Sequence, residues 1–200
     1  MPDGGMPMGE TTASRAAAHD LDLVALAAGG GREAFGELVR RHGSAVRSLV
    51  RRMGAQPALA DDIAQDAFLA AFERIAEFRG EGTFQAWVKR IAARLYAKRW
   101  RREAIARRAA EALEADDDPR VTQSGVAARI DLDQALASLG ALERLCVSLC
   151  YGAGLSHSDA AEALGLPLGT VKSHVKRGLD KLKARLAPAQ TVRDAEEANG

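Results

Sequence analysis

Cysteine is scarce in this sequence, with only Cys146 and Cys150 among 200 residues. The two lie four positions apart in a helical pattern, which separates their Cβ atoms by about 5–6 Å. A disulfide needs about 3.5–4.5 Å between these atoms, so no disulfide framework is predicted. His157 is a candidate metal partner, but tetrahedral sites need more ligands, and we predict no metal. Free cysteines suit a reducing compartment, and the sequence therefore predicts a cytoplasmic protein.

Long apolar runs are lacking too. No stretch approaches the roughly 20 apolar residues of a membrane-spanning helix, so we expect no membrane insertion. Residues 1–19 have neither a basic start nor an apolar stretch, so they do not resemble a secretory signal. Runs of β-branched residues are missing, and Ala, Leu, Arg and Glu dominate. This composition, with apolar residues at helical spacing, predicts an all-α fold.

Signatures of catalysis are missing as well. The sequence has no glycine-rich phosphate loop, no cluster of metal ligands and no Ser/His/Asp order typical of hydrolases. We therefore predict that the protein is not an enzyme and that it uses no cofactor.

Charge is present in quantity, and it is segregated along the chain. The formal net charge is only +1, since 28 Lys and Arg nearly balance 27 Asp and Glu. This small net charge hides two basic blocks on either side of an acidic stretch, EALEADDDP. Two basic blocks around an acidic hinge suggest two separate contacts with an anionic polymer. The alternative interpretation is a pair of solvated helix faces. The basic residues are Lys89, Arg90, Arg94, Lys98, Arg99, Arg101, Arg102, Arg107 and Arg108 in the first block, and Lys172, Lys176, Arg177, Lys181, Lys183 and Arg185 in the second.

The hydrophobic pattern predicts helices grouped into two small domains joined by a flexible linker. Apolar residues recur at helical spacing, with glycine, proline or threonine at the predicted helix boundaries. The first predicted helix covers about 20–28, and the longest runs from 84 to about 114. We predict a disordered tail at 1–19, an N-terminal domain at 20–111, an acidic linker at 112–128, a C-terminal domain at 129–187 and a second disordered tail at 188–200.

The C-terminal domain carries the pattern of a helix-turn-helix, in LSHSDAAEALGLPLGTVKSHVKRGLDKLK. Ser156 can cap the first helix, with Asp159 as its reciprocal acid. Gly165 can end that helix, and Pro167 can start the next. A support helix, a sharp turn and a recognition helix follow in the order of DNA-binding motifs, although a helical hairpin with a basic face remains the alternative. The side chains predicted to reach DNA are Lys172, Ser173, Lys176 and Arg177, while His174 could contact DNA or fill the helix surface.

This C-terminal stretch resembles two families. One is the effector domain of quorum-response and two-component regulators; the other is the C-terminal domain of bacterial sigma factors of the extracytoplasmic-function group. A two-component regulator would carry a receiver with alternating strands and helices, which the N-terminal pattern does not indicate. Instead, residues 60–102 resemble the first domain of that sigma-factor group. The residues that carry this resemblance are Asp61, Asp62, Gln65, Asp66, Phe68, Phe78, Arg79, Gly80, Phe84, Trp87, Arg90, Ile91 and Ala92.

The resemblance implies a sigma factor of the sigma-70 family, which binds core RNA polymerase and reads the −10 and −35 promoter elements. It implies that one helix docks on polymerase, that the loop at 79–83 and the basic helix after it open the −10 region, and that the last helix reads the −35 element. A flipped base in the −10 region needs a pocket, stacking partners and cations. The implied residues are Asp61, Asp62, Gln65 and Asp66 for polymerase; Arg79, Phe84, Trp87, Lys89, Arg90, Arg94, Lys98 and Arg101 for −10 DNA; and Lys172, Ser173, His174, Lys176 and Arg177 for −35 DNA.

Several interpretations stay open at this point. Core packing is the alternative role for Phe84 and Trp87. Arg94 and Lys98 depart from the group pattern, which often has Asn or Asp there, so −10 preference is expected to differ. The expected partners are core RNA polymerase, promoter DNA and an anti-sigma factor. Two other functions are a sigma-like mimic that sequesters an anti-sigma factor and a stand-alone helix-turn-helix regulator that acts without polymerase.

Overall fold

The computed structural model describes residues 12–111 and 132–186, and every regular element in these ranges is helical. The predicted all-α fold is therefore confirmed. None of the helices in these ranges combines the length and apolar character needed to cross a bilayer. The elements are α1 (Thr12–Ala28), α2 (Arg32–Arg52), α3 (Pro57–Glu73), a 3₁₀ turn (Ile75–Glu77), α4 (Phe84–Glu111), α5 (Leu132–Ala137), α6 (Ala141–Val147) with a π-helical continuation (Ser148–Gly152), α7 (His157–Leu164) and α8 (Leu168–Leu186).

Local sequence signals set most helix boundaries in the N-terminal half, which comprises α1 to α4 (residues 12–111). Gly30 ends the first helix region with φ of 95°, a conformation that glycine adopts without a steric cost. Pro57 occupies the first turn of α3. An N–H at this position would have no partner within the helix, so its absence in proline costs no hydrogen bond. The Thr83 hydroxyl accepts from the Ala86 N–H at 3.1 Å and caps α4. Helix α1 begins at Thr12, so residues 12–19 are helical where the sequence pattern predicted a tail.

Aromatic side chains fill the centre of the N-terminal half. Phe84 is 1% exposed and meets Phe35 and Phe78 edge-on, with ring centroids 6.4 Å and 5.8 Å away. Edge-to-face pairs at these distances add about 0.5–1.5 kcal/mol to the free energy gained from burial. A buried Asp20 accepts from His42 at 2.7 Å and from Arg41 at 3.2 Å, which fastens α1 to α2. This core fixes the position of α4.

The C-terminal half comprises α5 to α8 (residues 132–186), and α7 and α8 form the helix-turn-helix that the local sequence signals predict. The Ser156 hydroxyl accepts from the Asp159 N–H at 3.0 Å, and the Ser156 N–H donates to the Asp159 carboxylate at 3.2 Å. Gly165 follows α7 in the left-handed conformation, with φ of 64°. The predicted packing face is buried at Leu164, Val171, Val175 and Leu182 and partly buried at Leu166 and Leu179.

The two halves share one hydrophobic core rather than standing apart. Leu149 and Cys146, both fully buried, belong to the same cluster as Leu49 of α2 and Tyr96 of α4. The halves also approach closely at Gly152, where a Cβ would lie 2.7 Å from a methyl of Leu49. The predicted linker at 112–128 and the predicted tail at 188–200 lie outside the described residues.

Candidate polymerase- and DNA-binding surfaces

Helix α3 presents a polar face to solvent. Its other face is buried, with Ile63, Ala64 and Ala67 each at most 5% exposed. Of the polar residues, the Asp61 carboxylate lies 3.6 Å from the guanidinium of Arg47 on α2. A helix with a buried apolar stripe and an exposed carboxylate face can present negative charge to a cationic partner. The structure leaves all four predicted polymerase contacts exposed: Asp61, Asp62, Gln65 and Asp66.

An apolar groove of about 430 Å³ runs between α2 and α3, beside this polar face. Leu69, 56% exposed, lies on its rim, although the side chain is apolar. Such a groove can accept an apolar side chain of a protein partner while the carboxylates beside it orient that partner. The sequence pattern did not indicate the groove, because its walls come from two helices. They are Phe35, Val39, Arg47, Asp61, Ala64, Gln65, Phe68 and Leu69.

The loop before α4 depends on two glycines. Gly80 and Gly82 adopt φ of 74° and 84°, which strongly favours glycine over residues with a Cβ. Arg79 is exposed at the start of this turn. The loop therefore presents a cation beside the N-terminal end of α4.

The aromatic candidates at the start of α4 are mostly buried. Phe84 lies inside the core at 1% exposure, which favours its alternative role, core packing, over the predicted −10 contact. Trp87 is half-buried, with its ring centroid 5.4 Å from that of Phe78. Only Trp87 of this pair keeps an accessible surface. Sequence periodicity could not separate the roles, because an aromatic at a core position and one at a stacking site follow the same spacing.

Cations line the outer side of α4. Lys89 is half-buried, and burial followed by the nearby charge of Arg52 lowers the pKa of its ammonium group. The remaining predicted −10 cations are exposed along more than two turns of the helix. A row of this kind can follow a nucleic-acid backbone. These exposed residues are Arg90, Arg94, Lys98 and Arg101.

Part of this cationic row contacts the helix-turn-helix. A guanidinium nitrogen of Arg94 lies 3.6 Å from the Asp159 carboxylate on α7. The Arg101 side chain lies so close to the turn that a Cβ on Gly165 would sit 2.5 Å from its guanidinium carbon. The Ser156 hydroxyl and backbone lower the pKa of Asp159, and Arg94 adds to this effect. Two of the predicted −10 residues are thus engaged within the chain.

Helix α8, the predicted recognition helix, presents its polar side outward. Lys172, Lys176 and Arg177 are exposed, and His174 is half-buried. Ser173 is also exposed, but its hydroxyl donates to the Gly169 carbonyl at 2.8 Å. The helix therefore offers cationic donors and one hydroxyl with a free acceptor lone pair, as DNA-binding helices do.

Glu143 of α6 was not predicted to belong to this surface. Glu143 is 7% exposed. Its two carboxylate oxygens accept from Lys181 Nζ at 2.9 Å and 2.7 Å. Arg177 Nε lies 3.7 Å from the same carboxylate. The signal available in the sequence was its place three residues after Gly140, whose N–H it accepts at 3.3 Å. Contact with α8, however, depends on tertiary packing.

The described part of the chain contains neither a candidate metal site nor a reactive cysteine thiol. Across residues 12–111 and 132–186, no cluster of His, Cys, Asp or Glu could hold a metal ion. Burial raises the pKa of the Cys146 thiol to about 12, and burial also raises the pKa of the Cys150 thiol. Thiols in this state are poor nucleophiles at neutral pH.

Two family models match the chain, in the order in which the surfaces occur. "Sigma-70 region 2" matches residues 38–105, and "Sigma-70, region 4" matches residues 135–184. The first match contains α3 and most of α4. The second contains α7 and all but the last two residues of α8.

Curated proteins resemble the chain over most of its length. It is 36% identical over 182 residues to the RNA polymerase sigma factor CnrH of Cupriavidus metallidurans, covering 84% of this chain and 94% of that protein. It is 33% identical over 169 residues to the ECF RNA polymerase sigma factor SigM of Mycobacterium tuberculosis, covering 84% and 83%. The solved structure of Bartonella quintana RpoE with the anti-sigma factor NepR shares the fold, with a TM-score of 0.51 and 23% identity over 78% of this chain and 98% of that one.

Proposed function

This chain belongs to the sigma-70 family of RNA polymerase sigma factors, in the extracytoplasmic-function group, and we propose that it binds core RNA polymerase and directs transcription from specific promoters. Proteins of this kind are non-enzymatic initiation factors. The observation that carries the proposal is the presence of both promoter-reading regions on one chain, each matched in the expected order.

Core polymerase binding belongs to α3 in this proposal. Its exposed polar face and the apolar groove beside it form one continuous surface of the kind that protein interfaces use, with an apolar centre and a polar rim. The contacts are Asp61, Asp62, Gln65 and Asp66.

Reading and opening of the −10 element belong to the 79–83 loop and α4. Arg79 and Trp87 flank the start of the helix, where an unstacked base could meet an aromatic ring and a cation. Phe84 supports Trp87 from the core, with ring centroids 5.9 Å apart. Since Arg94 and Arg101 contact the C-terminal half, separation of the halves would free both side chains for DNA. The proposed −10 contacts are Arg79, Trp87, Lys89, Arg90, Arg94, Lys98 and Arg101.

Reading of the −35 element belongs to α8. Its exposed donors can bind acceptors in the major groove and phosphates beside it. The proposed contacts are Lys172, Ser173, His174, Lys176 and Arg177. Residues 112–128, between the two halves, can extend about 56 Å, which exceeds one DNA turn of about 34 Å, so the two halves could contact separate promoter elements.

We further propose an anti-sigma factor as a regulatory partner and the cytoplasm as the location. Both follow from membership of the group, in which the sigma factor works where polymerase and promoter DNA are present. An anti-sigma factor that covers α3 or α8 would block polymerase or DNA.

Sequencing of transcript start sites tests the function. The purified chain is added to core polymerase on genomic DNA, and starts are mapped with and without it. We expect new starts that share upstream sequences at two positions. A sequestering mimic would produce no new starts. A stand-alone regulator would bind duplex DNA without polymerase and would leave the core enzyme's starts unchanged.

A further inference from the structure

Glu143 is an unusual residue for its place in the fold. Within the described residues, only Asp20 and Glu143 are buried carboxylates. Burying a carboxylate is costly unless charged and hydrogen-bonding partners compensate it. The Gly140 N–H and Lys181 supply this compensation directly. Lys181, followed by lesser contributions from Gly140 and Arg177, holds the pKa of Glu143 below its ordinary value, so the group is ionised at neutral pH.

The cations around Glu143 come from the recognition helix. Arg177 and Lys181 are four residues apart on α8 and therefore project on one side of it. Lys181 bonds both carboxylate oxygens, whereas Arg177 approaches with Nε at 3.7 Å and keeps 57% of its side chain exposed. The exposed part of the guanidinium is thus free to bind an anion.

Arg177 is held on a second side by His174. A guanidinium nitrogen of Arg177 lies 3.1 Å from His174 Nδ1. A guanidinium can only donate, so Nδ1 accepts and the neutral imidazole carries its proton on Nε2. Burial, followed by the charge of Arg177, lowers the pKa of His174, which favours this neutral form.

We propose that Glu143 is a positioning residue for −35 recognition, which fixes the Arg177 guanidinium between itself and His174 and thereby fixes how α8 sits in the major groove. This inference rests on the proposed function. Phosphate contacts set the register of a protein on DNA, and base contacts read the sequence within that register. An arginine whose fork is already oriented loses less freedom on binding phosphate than a mobile one. Loss of Glu143 should therefore loosen the register and broaden base preference.

The same change has a second, opposite consequence. Glu143→Gln removes one negative charge beside two cations, so sequence-independent attraction to DNA should rise. Positioning therefore predicts a specific combination: equal or tighter binding to DNA in general, with weaker discrimination at the −35 element. A general weakening of the fold would lower both.

The experiment is a selection with holoenzyme assembled from the full chain and core polymerase. The duplex library carries a promoter with random bases across the −35 element, and bound molecules are sequenced. Glu143→Gln is compared with Asp180→Asn, which removes the same charge from an exposed position on α8. We expect Glu143→Gln to reduce the enrichment of preferred over other bases by about three- to tenfold. Asp180→Asn should leave the base preference unchanged. Both variants should bind DNA more tightly than wild type at the same salt concentration.

A third variant separates positioning from stability. Lys181→Met removes the main partner of Glu143 but leaves Arg177 intact, so it should lower the melting temperature while the selected sequence stays the same. The proposal is overturned if Glu143→Gln selects the wild-type sequence, or if Lys181→Met broadens the preference as much as Glu143→Gln does. Failure of the proposed function has a different signature, namely that the wild-type holoenzyme itself enriches no −35 sequence.

Discussion

The guanidinium of Arg144 donates to the backbone carbonyl of Arg52, with Nε 2.6 Å from the oxygen. A second nitrogen donates to the Arg51 carbonyl at 2.8 Å. The last carbonyls of a helix have no partner within it, so an arginine from the C-terminal half completes α2 of the N-terminal half. Arg52 in turn contacts Asp133 at 2.5 Å. The halves are therefore joined by hydrogen bonds to backbone groups as well as by apolar packing.

Enlarging Gly152 should separate the halves. A Cβ there would lie 2.7 Å from a Leu49 methyl, so Gly152→Val overpacks the contact, and overpacking costs about 1–3 kcal/mol. We expect a larger radius of gyration for the free chain in small-angle scattering. Binding to single-stranded −10 DNA should become stronger, because Arg94 and Arg101 become free.

Two controls accompany this variant. Gly36→Ala adds a methyl where no atom lies within 4 Å, and it should leave the radius unchanged. Adding Leu49→Ala to Gly152→Val removes the clashing methyl and should restore the compact form. An unchanged radius for Gly152→Val alone would show that this contact does not hold the halves together.

Local signals predicted the helices well, because caps and turns act within a few residues. The Ser156 cap, the left-handed Gly165 and the Thr83 cap each require only their neighbours in sequence. The start of α1 was missed, since an alanine-rich stretch with a glycine-rich flank carries no apolar stripe to mark it. The contact between Arg144 and Arg52 joins residues far apart in the chain, and no local pattern encodes it.

The candidate surfaces likewise include features that the sequence predicts and features that it does not. Periodicity placed Asp62 and Lys172 correctly on exposed faces, because exposure follows from the position of the buried stripe. It could not show that Phe84 is wholly buried, nor that Asp159 contacts Arg94. Each of these depends on which helices pack together.

Reversing charge on α3 should abolish polymerase binding. Asp62→Arg with Gln65→Arg changes two exposed residues, so helicity and melting temperature should stay at wild-type values. Co-purification with core polymerase should be lost, because the proposed rim loses its net negative charge and gains two bulky cations. Asp22→Arg with Glu162→Gln makes the same charge change at exposed positions elsewhere and should bind normally. Retained co-purification of the α3 variant would remove this helix from the proposed interface.

Acid should weaken the C-terminal half through Glu143. Its folded-state pKa is lowered below the ordinary 4.5, chiefly by Lys181. A lowered pKa contributes stability that is present above the ordinary value and is lost as pH falls through the folded-state pKa. Glu143→Gln should therefore be less stable than wild type at pH 7, and the difference should shrink below about pH 4.5. Thermal melts from pH 3 to pH 7 measure this, and a difference that is constant with pH would contradict it.

Lys172 should read sequence at the upstream promoter element. It lies exposed near the N-terminal end of α8, the part of a recognition helix that approaches base edges. Lys172→Ala should relax base preference at one position of the −35 element, at a cost of about 1–3 kcal/mol for the preferred sequence. Lys183→Ala, at the exposed far end of the same helix, removes the same charge and should leave preference unchanged. Binding of holoenzyme to −35 variants at several salt concentrations measures both. If Lys172→Ala instead weakens binding to every −35 DNA variant alike and lowers the salt dependence by about one unit, Lys172 binds phosphate. The bases would then be read by other residues of α8.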